Sequence, residues 1–529
     1  MKNIWFLLLT LLVWSSCDVE DKGSYDYTEL NGITFEGIES VYAKMAELDE
    51  LVIEPQIKGS ILGNDESNYE YSWFITNEKN QRRILSTEKN LKWLVDLLAG
   101  AHTLYFQVND KSTGLQWIKS VTLNVSTSFT SGFLLFGDTE TGEARLDMIV
   151  MPVDRDSIVV ENVYDNSTYH LSNARGMIFS GSNYTNPVVK SLWLLTDEVD
   201  IKISSGSYFA DFGEFNELGI IETDAEHISP IRILDFFPRQ NSAGIRSHRN
   251  RGYITEDMIV MKSMTGNVTD YYATPINVYA NSSKLFKPYP LAFIRGASSF
   301  NSVCAMFYDM DEQCFVRPNT NYGGVSYCNK LSDSAGDPFP WNQKGTGRTI
   351  VYGENGYELN VGDSHTIMKD EEGHYYIYTF RTQDSDDWWY YSTKKGCYEV
   401  DFAMAQGFNE ASHYMFSSAK SVVVYAVGSM LWAYDYSRKQ ITSMDLGAEI
   451  TCLEAEYCST RSLSDFIVAT YDAGTHKGVV RKLQIGGGND EVKIIEKPRE
   501  IWDVTMKVKF IEWKDANDNE LEKPKEDGK

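Results

Sequence analysis

Val422-Val423-Val424-Tyr425-Ala426-Val427-Gly428-Ser429-Met430-Leu431-Trp432-Ala433-Tyr434-Asp435-Tyr436-Ser437-Arg438-Lys439-Gln440 is the stretch that decides the fold. Its β-branched and aromatic residues suit extended backbone. Gly428-Ser429 is a two-residue hairpin signal, and Asp435-Tyr436-Ser437-Arg438-Lys439 carries the polar chemistry of a following turn. A strand, a tight turn, a second strand and a polar turn, with no helix between them, is the layout of a β-propeller blade.

Runs of the same kind recur at residues 132–137, 191–196, 253–261, 290–295, 374–380, 421–436 and 465–483, and each has a second strand and a polar turn close behind it. No strict repeat links them. The body from Phe129 to Trp513, about 385 residues, predicts about seven blades at about 40 to 50 residues each. A pair of β-sandwiches is the competing fold. Up-and-down hairpins in place of long crossovers favour the propeller.

Ahead of this body, residues 69–75 and 102–108 alternate between two faces as half-buried strands do. Residues 117–125 form another strand after the turn Lys111-Ser112-Thr113-Gly114. Residues 90–98 read as a short helix. Short strands with Trp73 in a central one predict a small β-sandwich over residues 30–126. The expected organisation is a signal segment at 1–16, a tether at 17–29, the sandwich, the propeller at 129–513 and a charged tail at 514–529. The fold class is all-β.

The sandwich carries a family resemblance. Tyr71-Ser72-Trp73, followed by Gly100-Ala101-His102-Thr103-Leu104-Tyr105-Phe106-Gln107-Val108-Asn109-Asp110 and Gly114, resembles the immunoglobulin-like PKD fold. At the N-terminus a single Lys2 precedes an apolar run from Ile4 to Trp14, which is shorter than the about 20 residues a permanent span needs. It reads as a signal peptide. Leu12-Val13-Trp14-Ser15-Ser16-Cys17 resembles a bacterial lipobox, although Trp14 stands where a smaller aliphatic residue is usual, and the resemblance implies lipid on Cys17. Asp18-Val19-Glu20-Asp21 resembles the surface-export signal of Bacteroidetes lipoproteins, which implies the extracellular side of the outer membrane.

The whole order is similar to the PKD-like lipoproteins of Bacteroidetes. That resemblance implies an accessory, binding role beside a SusC-type TonB-dependent channel and its SusD-type lipoprotein, with glycan or peptide as the captured nutrient. A propeller glycoside hydrolase or lyase, and a purely structural partner of the importer, are the alternatives.

A net charge of −26 repels phosphates and anionic headgroups, so nucleic acid is not an expected partner. No cofactor or metal is expected either. The eight His fall in no paired ligand spacing, and neither a Gly-x-Ser-x-Gly elbow nor a phosphate-binding loop is present. Asp138-Thr139-Glu140-Thr141-Gly142 and Asp515-Ala516-Asn517-Asp518-Asn519-Glu520 alternate oxygen ligands, but both lack the Gly and Glu of a calcium loop. With Cys17 assigned to lipid, Cys304 and Cys314 flank a hairpin turn and Cys452 and Cys458 are near neighbours. In an exported protein both pairs are candidate disulfides, with buried thiols as the alternative.

One cluster suggests ligand contact. Asp384-Ser385-Asp386-Asp387-Trp388-Trp389-Tyr390-Tyr391 sets acids beside four aromatics, and the loop at 319–347 adds Trp341. Exposed aromatic rings stack on sugars or anchor interfaces, whereas packing between blades is the plainer use. Trp388, Trp389, Tyr390, Tyr391 and Trp341 are the ligand-binding candidates. No catalytic residue is singled out, because a glycosidase needs two carboxyl groups at a separation that sequence does not supply. An enzyme predicts convergent carboxyls in a pocket on the propeller axis; a binder predicts a shallow groove with exposed Trp or Tyr.

Overall fold

The computed structural model describes residues 29–514 except 47, 64, 77–80, 98–99, 127–130, 153–155, 165–167, 183–188, 205–208, 210, 219, 222–230, 238, 240–251, 263–270, 295–304, 320–326, 357–361, 383–391, 457–461 and 489–490. The chain forms two compact units, residues 1–128 and 129–529.

The first unit is an immunoglobulin-like β-sandwich. Its main sheet orders Val41–Met45, Gln116–Ser126, Gly100–Asp110, Tyr69–Thr76 and Arg82–Ser86, and two-stranded ribbons pair Ile33–Glu36 with Gln56–Gly59 and Glu50–Ile53 with Leu91–Leu94. Trp73 is wholly buried at the centre. Its ring stacks on Phe106 at 4.4 Å, and its indole N–H donates to the Lys89 carbonyl at 3.0 Å, so its polar atom is satisfied within the core. The helix expected at 90–98 is replaced by the strand Leu91–Leu94. Leu91 is buried while Lys92 and Leu94 are exposed, a period of two, and the backbone groups pair with Glu50–Ile53. A segment this short does not distinguish the two periods by sequence alone.

The second unit is a seven-bladed β-propeller. Its blades, from the innermost strand outward, are Lys507–Lys514, Gly132–Asp138, Ala144–Val150 and Ile158–Val160 (blade 1); Ala174–Ser182, Val189–Thr196, Asp200–Ser204 and Asp211–Glu214 (blade 2); and Asp235–Phe237, Gly252–Ile254, Ile259–Lys262 and Tyr271–Pro275 (blade 3). Phe293–Ile294, Ala305–Asp309, Cys314–Pro318 and Cys328–Lys330 form blade 4, and Thr349–Asn355, Ser364–Lys369, Tyr375–Arg381 and Thr393–Glu399 form blade 5. Blade 6 is His413–Phe416, Val422–Val427, Met430–Asp435 and Gln440–Asp445; blade 7 is Glu449–Ala455, Asp465–Asp472, Lys477–Gly486 and Lys493–Val504. Blade 3 gains an outer parallel strand, Ile220–Ile221.

The ring closes through blade 1, where the C-terminal Lys507–Lys514 pairs antiparallel with Gly132–Asp138 from the start of the unit. This innermost strand lies against those of blades 2 and 7 alike. At the bulge between Phe136 and Gly137, a side chain on Gly137 would collide with the Lys507 backbone, so the closing pair requires glycine there.

Within blade 6 the opening stretch forms a hairpin. Gly428 takes φ 58° in its turn, and Asp435 accepts the amides of Ser437 and Arg438 at 3.0 and 2.9 Å. The turn between second and third strands repeats this device elsewhere. Asp309 accepts the amides of Asp311 and Glu312, Asp472 that of Gly474, and Thr255 those of Asp257 and Met258. That last turn splits the run expected at 253–261 into two strands.

Candidate functional site

Most residues singled out from sequence do not converge. Cys17, Cys304, Cys458 and the run Trp388, Trp389, Tyr390 and Tyr391 lie outside the described residues, as does the polar stretch at 515–520. Trp341 is a correction. It is 4% exposed, packed by Phe315, Phe339 and Phe380 at centroid distances of 5.2, 5.2 and 5.4 Å, with the Lys394 ammonium 4.9 Å from its ring. The chain's own aromatics and cation take the surfaces a sugar would use.

The cysteines are also corrected. Cys314 is a buried thiol facing Asp309 across the hairpin, because the tight turn sets the register at Asp309↔Cys314. Cys452 is a buried thiol within the innermost strand of blade 7. Asp138 accepts the Ala174 amide at 2.7 Å and pairs with Lys509, which makes the stretch at 138–142 a joint between blades. Among the described residues no group of three or more metal-ligating side chains occurs.

The residues that do converge lie on the propeller axis. A cavity of about 280 Å³ is walled by the innermost strands of blades 1, 2, 3, 4, 5 and 7 and their adjoining residues. Strand geometry explains the wall: alternate residues of an innermost strand point to opposite sides, so residues near its end can be delivered to the axis. Tyr352 and Glu354 come from blade 5, Glu454 from blade 7, Glu512 from blade 1, and Asp235 with the adjoining Arg239 from blade 3; Tyr289 lies just before blade 4.

The electrostatics follow from enclosure. Arg239 Nε donates to Asp235 Oδ1 at 2.9 Å. This side chain remains 47% exposed because it borders the open volume, yet it sits deep in the molecule, where Asp235 above all holds it charged. Burial pushes the Asp235 carboxyl up against the pull of Arg239.

Glu354 Oε2 accepts the Phe416 amide at 2.8 Å and the Tyr352 hydroxyl at 3.1 Å. Burial above all, with help from the Glu454 charge, nevertheless pushes Glu354 up to about 8. Burial also lifts Glu454 to about 7, with Arg239 opposing. Neither glutamate forms an ion pair among the described residues. At neutral pH Glu354 therefore holds a proton and can both donate and accept hydrogen bonds.

One strand outward, His365 stands opposite Glu354 in register. Its ring stacks on Phe416 at 4.4 Å, and burial pushes it down to about 3, so it is neutral.

Sequence reasoning missed this set because its members are scattered from residue 235 to residue 512. A signal was present. Tyr352-Gly353-Glu354, Cys452-Leu453-Glu454 and Phe510-Ile511-Glu512 each place an acid near the end of a strand run, and in each case that strand is the innermost of its blade.

Fold and site together define an all-β protein with a PKD-like domain ahead of a propeller that encloses an acid-lined axial cavity. The sequence model of the PKD-like family matches residues 18–172, past the sandwich and through the last three strands of blade 1. No curated protein matches the chain.

Among solved structures, a quinonprotein alcohol dehydrogenase-like protein from Bacteroides thetaiotaomicron is similar at 10% identity and a TM-score of 0.37, over 92% of this chain and 100% of its own. The β-propeller domain of Cps50 (Swd1) from Myceliophteria thermophila is similar at 10% identity and a TM-score of 0.35, over 68% of this chain and 97% of its own. The extracellular domain of a hybrid two-component system from B. thetaiotaomicron is similar at 9% identity and a TM-score of 0.35, over 90% of this chain and 70% of its own.

Proposed function

We propose that the protein is a cell-surface lipoprotein, tethered to the outer membrane through Cys17, whose propeller binds the end of a glycan or peptide nutrient in its axial cavity. It hands this cargo to a TonB-dependent channel of the SusC type with its SusD-type lipoprotein. The observation that carries the binding role is the cavity itself: a concave volume with a few convergent polar groups is the usual form of a small-ligand site. At about 280 Å³ it suits one sugar ring or one amino-acid side chain. Carboxyls that hold a proton, such as Glu354, suit hydroxyl and amide partners.

The test is a calorimetric screen of the full-length protein against oligosaccharides and short peptides, repeated with Arg239→Ala and Glu354→Gln. A ligand that loses at least tenfold in affinity with either substitution supports the reading. A ligand indifferent to both, or no ligand at all, overturns it. Purification from native membranes in mild detergent tests the partners: a channel with its SusD-type lipoprotein is expected to co-purify, and recovery of the protein alone would discard the importer role.

A second reading has its own support, because convergent carboxyls in an axial pocket are the arrangement an enzyme predicts. Glu354 and Glu454 face one cavity, where the Glu454 charge helps raise Glu354, and glycoside hydrolysis uses one protonated and one ionised carboxyl. Release of reducing ends from oligosaccharides, abolished by Glu454→Gln, would establish catalysis in place of simple capture.

A further inference from the structure

We propose that the axial cavity receives the ammonium group of its ligand, held between Glu354 and Glu454. This rests on the binding reading above and narrows it to a chemical class.

The argument is one of charge against geometry inside a confined volume. Six charged side chains line the cavity: Arg175, Asp235, Arg239, Glu354, Glu454 and Glu512. Both cations are already engaged. Arg175 donates to Asp200 at 2.8 Å and to the Thr196 and Ile233 carbonyls at 2.7 and 3.1 Å, which ties it into the joint between blades 2 and 3. Arg239 is held by Asp235 at 2.9 Å.

Glu354 and Glu454 project from blades 5 and 7 into the same space without an ion-pair partner. Glu354 has two hydrogen bonds, from Phe416 and Tyr352, and neither brings a positive charge. A carboxylate removed from water needs an opposite charge or a proton. In the absence of ligand, burial favours the protonated form of both.

A ligand cation supplies the missing charge, and an ammonium has three donors for carboxylate oxygens. An anionic ligand would instead meet three glutamates with both arginines already bound. Tyr289 and Tyr352, the other titratable groups on the wall, are raised far above neutrality, mainly by burial, and stay uncharged. Entry of an ammonium therefore expels protons from Glu354 and Glu454, and affinity should rise as pH rises through the range 7 to 8. A lysine-type amine, which titrates near about 10.4, stays charged throughout that range.

An amino sugar and a lysine-bearing peptide share this chemistry, and the experiment separates them. The full-length protein is titrated calorimetrically with a glucosamine dimer, a short lysine peptide and the N-acetylated form of each, at pH 6 and pH 8, in two buffers of different ionisation enthalpy. At least one amine is expected to bind tenfold or more tighter than its acetylated form. Its affinity should increase between pH 6 and 8 for the peptide, with protons released to buffer. Glu454→Gln, checked for an intact thermal transition, should remove both the preference and the proton release.

Which amine binds names the source. Equal affinity for amine and acetylated ligands, each sensitive to Arg239→Ala, would overturn the ammonium inference and leave the binding reading standing. Absence of any cavity-dependent ligand would overturn both.

Discussion

Two sets of buried charge in the propeller are built in opposite ways. In blade 7 the Lys482 ammonium is wholly enclosed, with Glu456 at 2.6 Å, Asp465 at 3.6 Å and Glu500 at 3.8 Å. Lys497 pairs with Asp465 at 2.6 Å, and Gln484 donates to the same carboxylate at 2.9 Å. Lys482 also stands 5.8 Å from the Phe133 ring of blade 1, so the cluster sits where the ring closes. On the axis, Glu354 and Glu454 are only partly exposed, and neither has an ion-pair partner among the described residues; Arg239 acts on Glu454 without pairing with it. The first set is complete without a ligand. The second is completed by a proton or by something that enters the cavity, and this difference separates structural charge from functional charge more clearly than burial does.

The comparison breaks most visibly at Lys482. Lys482→Met keeps the bulk but leaves Glu456 and Asp465 enclosed without their shared cation, a change expected to cost about 3–5 kcal/mol. Chemical unfolding of the full chain at neutral pH measures it, and a loss below about 1 kcal/mol would show that water already reaches the cluster.

Lys394 sharpens the same point with a smaller effect. Its ammonium is enclosed, 2.6 and 2.5 Å from Asp333 and Asp337, but these two keep about a third of their surface in water. Once Lys394→Met removes the cation, solvent can take over both carboxylates, so a loss of about 1–3 kcal/mol is expected. Ligand affinity should not change, because Trp341 beneath it is core.

The legible part of this fold was the part with local chemistry. Residues 422–440 declared a blade because hairpin pairing, a left-handed Gly428 and the Asp435 turn all lie within twenty positions on the chain. Trp73 and the alternation at 69–75 and 102–108 declared the sandwich for the same reason. Four residues at 91–94 were too few to show their period.

The axial site was hidden for a different reason. Glu354, Glu454, Glu512 and Arg239 become neighbours only when seven sheets close into a ring, and each looks alone like an ordinary polar interruption of a strand. Trp341 erred in the other direction. Residue type marked Trp341 as a platform, and only packing shows its faces to be taken.

The smallest effect expected is also the most diagnostic, because its sign depends on pH. Glu354 and Glu454 are raised to about 8 and about 7 from a reference of 4.5. Between pH 4.5 and 8 the folded protein therefore binds more protons at these residues than the unfolded chain does. Their contribution to stability is fully present below pH 4.5 and is lost as pH rises through 7 and 8. Glu354→Gln or Glu454→Gln removes a group that must ionise inside the cavity, so each variant should match the parent near pH 5 and exceed it at pH 8 by roughly 1–2 kcal/mol. This is less than the about 1.4 kcal/mol per pKa unit that full burial would give, because both carboxyls keep contact with solvent. Glu456→Gln in blade 7 should do the opposite, lowering stability at pH 8, because Lys482 needs its charge. Unfolding curves at the two pH values decide the matter. A loss at pH 8 from the axial substitutions would mean that Glu354 and Glu454 are ionised and compensated within the protein, and the two sets would then be alike.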